Sequence, residues 1–231
     1  MTRNPVFVAL DTPSLDRARA LVQSLKPFVG GVKLGLEFYG ANGPDGVRAI
    51  VSAGVPVFLD LKLHDIPNTV AGAMRALAPL GAAIINVHAS GGAAMMRAAA
   101  EAARNVERSA KVIAVTVLTS LEDQELRAIG VSGTALEQAV RLAILAKECD
   151  LDGVVCSPLE IAAVRAACGA PFLIVTPGVR PAGGELGDQQ RVMTPRQAIE
   201  AGADILVIGR PITGAPDPVQ AARQIAAGLG H

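Results

Sequence analysis

VPVFLDLKLHDIPNT, residues 55–69, begins as an apolar run and ends in a cluster of charge. Its first half has the Val-, Leu- and Phe-rich character of a strand buried on both faces. Its second half places Asp60, Lys62 and Asp65 within six residues and then reaches Pro67, a residue suited to the first turn of a helix. The segment therefore reads as strand, charged strand end, helix. Burying an unpaired charge is costly, so these charges need either partners or a task.

The same unit recurs along the chain. Strand-like runs occur at VFVAL (6–10), GVKLG (31–35), AIINVHA (83–89), KVIAVTVL (111–118), DGVVCS (152–157), PFLIVTP (171–177) and DILVIG (204–209). Helix-start signals fall between them. Ser14 opens LDRARALVQSL, Thr134 and Glu137 form a T-x-x-E capping box, Ser157-Pro158 precedes LEIAAVRAA, and Thr194-Pro195 precedes RQAIEA with Gly202 after it. Eight strand–helix alternations in 231 residues predict a single α/β domain over 1–231, a (β/α)8 TIM barrel close to the ~250 residues usual for that fold. The rival, an open doubly wound sheet, favours a G-x-G-x-x-G turn after the first strand, and this chain has LDTPS there.

Composition agrees. Apolar residues make up 51% of the chain with only 3% aromatic, as expected of aliphatic helices packed on a two-faced parallel sheet. Lys plus Arg total 21 and Asp plus Glu total 21, so overall charge points to neither a nucleic-acid partner nor an anionic membrane. No apolar run reaches the ~18–20 residues of a bilayer span, and VFVAL stops at Asp11 without a cleavage-type sequence, which predicts a soluble cytoplasmic protein. Cys149, Cys156 and Cys168 lie 7 and 12 residues apart, fitting neither a disulfide framework nor a zinc site, and read as buried reduced thiols.

Barrel chemistry sits at the C-terminal strand ends. Those ends carry Asp11, Lys33, Asp60 with Lys62, His88, Thr116 with Thr119, Ser157, Arg180, and Gly209 with Arg210. With a strand period of two, Asp60 and Lys62 point into the barrel about 6–7 Å apart along the strand, and Leu59, Leu61 and Leu63 point outward. Lys33 on the neighbouring strand completes an alternating Lys–Asp–Lys array. Asp65 and Asp11 each admit a second reading as helix caps, and Thr119-Ser120 as the start of the helix LEDQELRAI. His88 reads as a hydrogen-bonded wall residue more readily than as a base. Gly209 would allow close backbone approach to a ligand, and Arg210 supplies a fork of donors where barrels often hold phosphate. Between strand seven and the next helix, TPGVRPAGGELGDQQRVM (176–193) is long enough to read as a lid at 181–188, bracketed by Arg180 and Gln189.

DLKLHDIPNT resembles the D-x-K-x-x-D signature of the orotidine 5′-phosphate decarboxylase family. The resemblance continues in order through LDTPS, GVKLG, NVHASGG, VTVLTS, DGVVCSP, TPGVRP, GDQQR and VIGRPIT, covering Asp11 to Thr213. It implies a homodimeric barrel that converts orotidine 5′-monophosphate to uridine 5′-monophosphate and CO2 in pyrimidine synthesis, without metal or organic cofactor. By resemblance, Lys62 protonates C6, and Lys33, Asp60 and Asp65 complete the charged array. Asp65, Ile66 and Thr69 would reach the neighbouring subunit's site. Asp11 and Lys33 would hold ribose hydroxyls, Thr119 would lie by the base, and Arg180, Gln189, Gly209 and Arg210 would grip the phosphate. The metal-dependent phosphosugar decarboxylases and synthases of the same barrel group share D-x-K-x-x-D, but they carry a glutamate metal ligand where Lys33 stands. A non-catalytic nucleotide-binding barrel is the remaining alternative.

Overall fold

The computed structural model describes residues 4–106, 110–180 and 193–231. All eight expected strands form. They are β1 (Val6–Ala9), β2 (Gly31–Leu34), β3 (Val57–Leu63), β4 (Ile84–His88), β5 (Lys111–Val115), β6 (Gly153–Val155), β7 (Leu173–Pro177) and β8 (Ile205–Ile208). Every neighbouring pair is parallel, and β8 pairs with β1 to close the barrel. The helices that return the chain are α1 (Leu15–Leu25), α2 (Leu36–Val51), α3 (Pro67–Leu77), α4 (Gly92–Arg104), α5 (Asp123–Ala128), α6 (Ala135–Glu148), α7 (Ile161–Cys168), α8 (Pro195–Glu200), α9 (Arg210–Thr213) and α10 (Pro218–Gly228).

Helix starts follow the side-chain chemistry. Ser14 accepts from the Arg17 N–H, and the reciprocal boxes Thr134/Glu137 and Thr194/Gln197 both form, satisfying N–H groups that have no partner within the helix. Three of the cap readings fail. Asp11 leaves the capping of α1 to Ser14 and turns to Lys33 instead. Asp65 does not cap α3, because Ile66 is the flanking residue and the Asp65 carboxylate accepts only from the Ile66 N–H next to it. Thr119-Ser120 does not open α5 either: Glu122 does so, in a box with Glu125.

Two apolar layers hold the barrel. Val8, Val32, Leu59 and Ile85 point out against the helices, whereas Phe7, Phe58, Ile84, Ile113, Val175 and Val207 fill the interior. That inner layer forms a floor beneath the C-terminal mouth. The three cysteines are free and buried in the outer layer, where burial raises each thiol's pKa and leaves it inert. Packing is tight at Gly153 on β6, where a Cβ would drive into the Leu173 carbonyl of β7. Gly153→Ala should therefore destabilise the fold by about 3 kcal/mol through overpacking, measured as a lower denaturant midpoint at unchanged slope.

Candidate active site

The barrel delivers four charged side chains to one place. Lys33, near the end of β2, sends its Nζ to Asp11 Oδ1 at 3.2 Å and to Asp60 Oδ2 at 3.3 Å. Lys62 Nζ lies 2.6 Å from Asp60 Oδ1. The order is Asp11–Lys33–Asp60–Lys62, so each inner charge sits between opposite charges. Leu61 and Leu63 pack against the outer layer, as strand alternation predicts. Asp60 is the buried centre of the chain, at 8% exposure. Burial alone would raise its carboxyl pKa, but the charges of Lys33 and Lys62, then hydrogen bonds from Lys62 and Asn86, outweigh that effect and hold it below the ordinary carboxylate value.

β3 departs from a regular strand here. From Leu59 to Leu63 it advances four residues while β4 advances two, from Ile85 to Val87. The slack is taken up by a bulge in which Lys62 adopts a left-handed backbone, φ 53°. The Asp60–Lys62 pair is thus set by a bent strand end and not by the even spacing of a flat one. Asn86, on the facing strand, bridges the irregularity and escapes the sequence reading. It is fully buried, donates to Asp60 Oδ1 at 2.7 Å and accepts the Lys62 N–H at 2.8 Å. Its one sequence signal is position, two residues before His88 and so on the same face of β4.

A cavity of about 220 Å³ opens beside the array, lined by Lys33, Asp60, Lys62 and Thr119 over a floor that includes Phe58 and Val207. The two hollows near 460 Å³ lie elsewhere, one by α8–α10 and one by Asn4 and the C-terminus, and neither contains such an array. His88 fulfils the wall reading: its Nδ1 contacts Ser90 Oγ at 2.7 Å, and its ring stacks on His64 at 5.5 Å. Burial, then His64 and Lys62, lowers its pKa.

On the opposite side of the mouth, Arg180 is buried at 9% exposure and donates to the Val179 carbonyl. Its pKa is lowered by burial and then by the nearby positive charge of Arg210, the exposed first residue of α9. The Arg210 charge therefore acts on the buried Arg180 guanidinium, a feature that favours an anion beside them. Gly209 sits between β8 and α9, where a Cβ would make only ordinary contacts with Ala9 and Asp11. Packing within the chain does not by itself call for glycine there.

Asp65, Ile66 and Thr69 are all exposed, Ile66 at 66%. No ion pair joins Asp65 to Lys62 among the described residues, so a lone chain brings together Asp11, Lys33, Asp60 and Lys62 without Asp65. Gln189 and the expected lid at 181–188 lie outside the described residues.

Fold and site together define an α/β-barrel enzyme with its charged groups at the C-terminal mouth. The family model described as "Orotidine 5'-phosphate decarboxylase / HUMPS family" matches residues 4–225, and the chain belongs to that family. It is 55% identical to the orotidine 5'-phosphate decarboxylase of Paramagnetospirillum magneticum, covering 98% of this chain and 99% of the relative. It is 57% identical to that of Moorella thermoacetica, over 97% and 92%. The crystal structure of orotidine 5'-phosphate decarboxylase from Lactobacillus acidophilus superposes with a TM-score of 0.87 at 38% identity, over 99% of this chain and all of that one.

Proposed function

We propose that the chain, acting as one barrel unit over 1–231, decarboxylates orotidine 5′-monophosphate to uridine 5′-monophosphate and CO2 in cytoplasmic pyrimidine synthesis. The observation that carries the reading is the Asp11–Lys33–Asp60–Lys62 array at the mouth of a barrel of this family. When the bond from C6 to the carboxylate breaks, its electron pair stays on C6 in the plane of the ring. The ring π system cannot take up that pair, so the reaction needs an external source of stabilisation.

A cation fixed beside C6 supplies it. Lys62, held by Asp60, meets the developing negative charge and then transfers a proton from Nζ to C6, completing the product. Its side chain is 32% exposed, which gives the resulting amine access to water for reprotonation. Asp60 faces the substrate carboxylate and disfavours the bound ground state, while Lys33 and Asp11 take the ribose hydroxyls and Thr119 lies by the base. Arg180, Gln189, Gly209 and Arg210 take the phosphate. At Gly209 the absence of a side chain lets the backbone approach the ligand closely. The phosphate binds far from the reacting carbon, and its binding energy serves to close the lid at 181–188 and exclude water.

Lys33 also bears on metal dependence. Its ammonium occupies the position between Asp11 and Asp60, where it would repel a divalent ion, so the proposed reaction uses neither metal nor organic cofactor. The exposed Asp65, Ile66 and Thr69 suit residues that complete the site of a second subunit in a homodimer. One ultraviolet assay tests the reading. Loss of the orotate chromophore, unchanged by chelator, is expected. Chelator sensitivity would favour the metal-dependent alternative, and nucleotide binding without chromophore loss would favour a non-catalytic barrel.

A further inference from the structure

Asn86 is hard to account for as part of the barrel alone. The inward floor positions near it, Ile84, Ile113, Val175 and Val207, are apolar, and an apolar side chain at 86 would continue that layer. A buried amide costs free energy unless its polar atoms are paired, and this one is paired with only two groups, both belonging to the charged strand end. Its carbonyl accepts the Lys62 N–H at 2.8 Å, at the point where the bulge takes that N–H out of the sheet ladder. Its NH2 donates to Asp60 Oδ1, the same oxygen that holds Lys62 Nζ. One side chain therefore fixes both the backbone of Lys62 and the carboxylate that aims its ammonium.

We propose that Asn86 is a positioning residue for the decarboxylation, clamping the left-handed backbone of Lys62 and the Asp60 carboxylate into the single arrangement that presents Nζ to the substrate. The assignment rests on the functional reading above. It requires no contact between Asn86 and substrate. Left-handed backbone is unfavourable for a lysine, so loss of the clamp lets the strand end relax and moves the ammonium.

The test uses two variants and one measurement on the unaltered protein. Asn86→Leu keeps the forked side-chain outline, with bulkier methyl groups in place of the amide, and removes both hydrogen bonds. We expect kcat to fall about 100-fold, the scale of an ångström's misplacement, with KM changed less than about threefold. The acid limb of the pH–rate profile should move to higher pH, because the Asn86 hydrogen bond helps keep Asp60 ionised and its loss raises the carboxyl pKa. Asn86→Asp keeps the acceptor for the Lys62 N–H but sets a second carboxylate against Asp60, so that limb should move further still. A folded Asn86→Leu protein with kcat within about twofold of wild type and an unmoved acid limb would overturn the proposal. If both variants fail to fold, hydrogen exchange in the wild-type protein decides: a protected Lys62 amide supports the clamp, and a rapidly exchanging one refutes it. The exchange result does not depend on the reaction, so absence of decarboxylation by the wild type would count against the functional reading alone.

Discussion

Lys62→Ala should abolish turnover of orotidine 5′-monophosphate while uridine 5′-monophosphate still binds. The substitution removes two contributions at once, the cation facing the developing carbanion and the proton donor to C6. General acid catalysis contributes about 10²–10⁴-fold and a preorganised electrostatic partner about 10²–10³-fold, so the loss in kcat should be at least about 10⁴-fold. Product binding survives because the phosphate and ribose contacts assigned to Arg180, Arg210, Asp11 and Lys33 do not use Lys62. Calorimetric titration with product and a chromophore assay at high enzyme concentration measure the two halves. Retained decarboxylation would remove Lys62 from its role. The same variant tests the shared site: mixed and allowed to exchange with an equally inactive Asp65→Asn chain, it should recover about a quarter of wild-type activity, since half the twofold dimers then carry one intact site. No recovery would place Asp65 outside the neighbouring subunit's site.

Arg210→Ala should lower kcat/KM by about 10³-fold, or roughly 4 kcal/mol, although it lies across the mouth from the reacting carbon. The positive charge of Arg210 opposes that of the buried Arg180. A dianionic phosphate relieves that repulsion and forms charge-assisted hydrogen bonds in return. If this energy drives closure of the lid, the variant loses kcat as well as affinity, whereas simple weakening of binding raises KM alone. Initial rates at low substrate concentration make the comparison, and rates equal to wild type would contradict the assignment.

The eight strands were legible because aliphatic runs at regular intervals leave little choice in a fully parallel sheet, and the caps at Ser14, Thr134 and Thr194 were legible because capping is local chemistry. Asp65 and Thr119-Ser120 show the limit of that logic. Both had the residue types of a cap, yet the helices begin one to three residues later, where chain direction and tertiary contacts set the first turn. The bulge at Lys62 was invisible for another reason. It is bridged by a hydrogen bond to Asn86, a residue 24 positions away on another strand, and no local propensity encodes that pairing. The sequence placed Asp60, Lys62 and Lys33 correctly on one face, but the bend that draws Lys62 onto Asp60 belongs to the assembled barrel.

The seam between β1 and β8 joins Val6 to Leu206, 200 residues further along the chain. During synthesis on the ribosome, β1 must wait with one edge bare until β8 has emerged. Such an edge invites pairing with other nascent strands, so the yield of native protein should depend on translation speed and chaperone supply more than the finished barrel's stability would suggest.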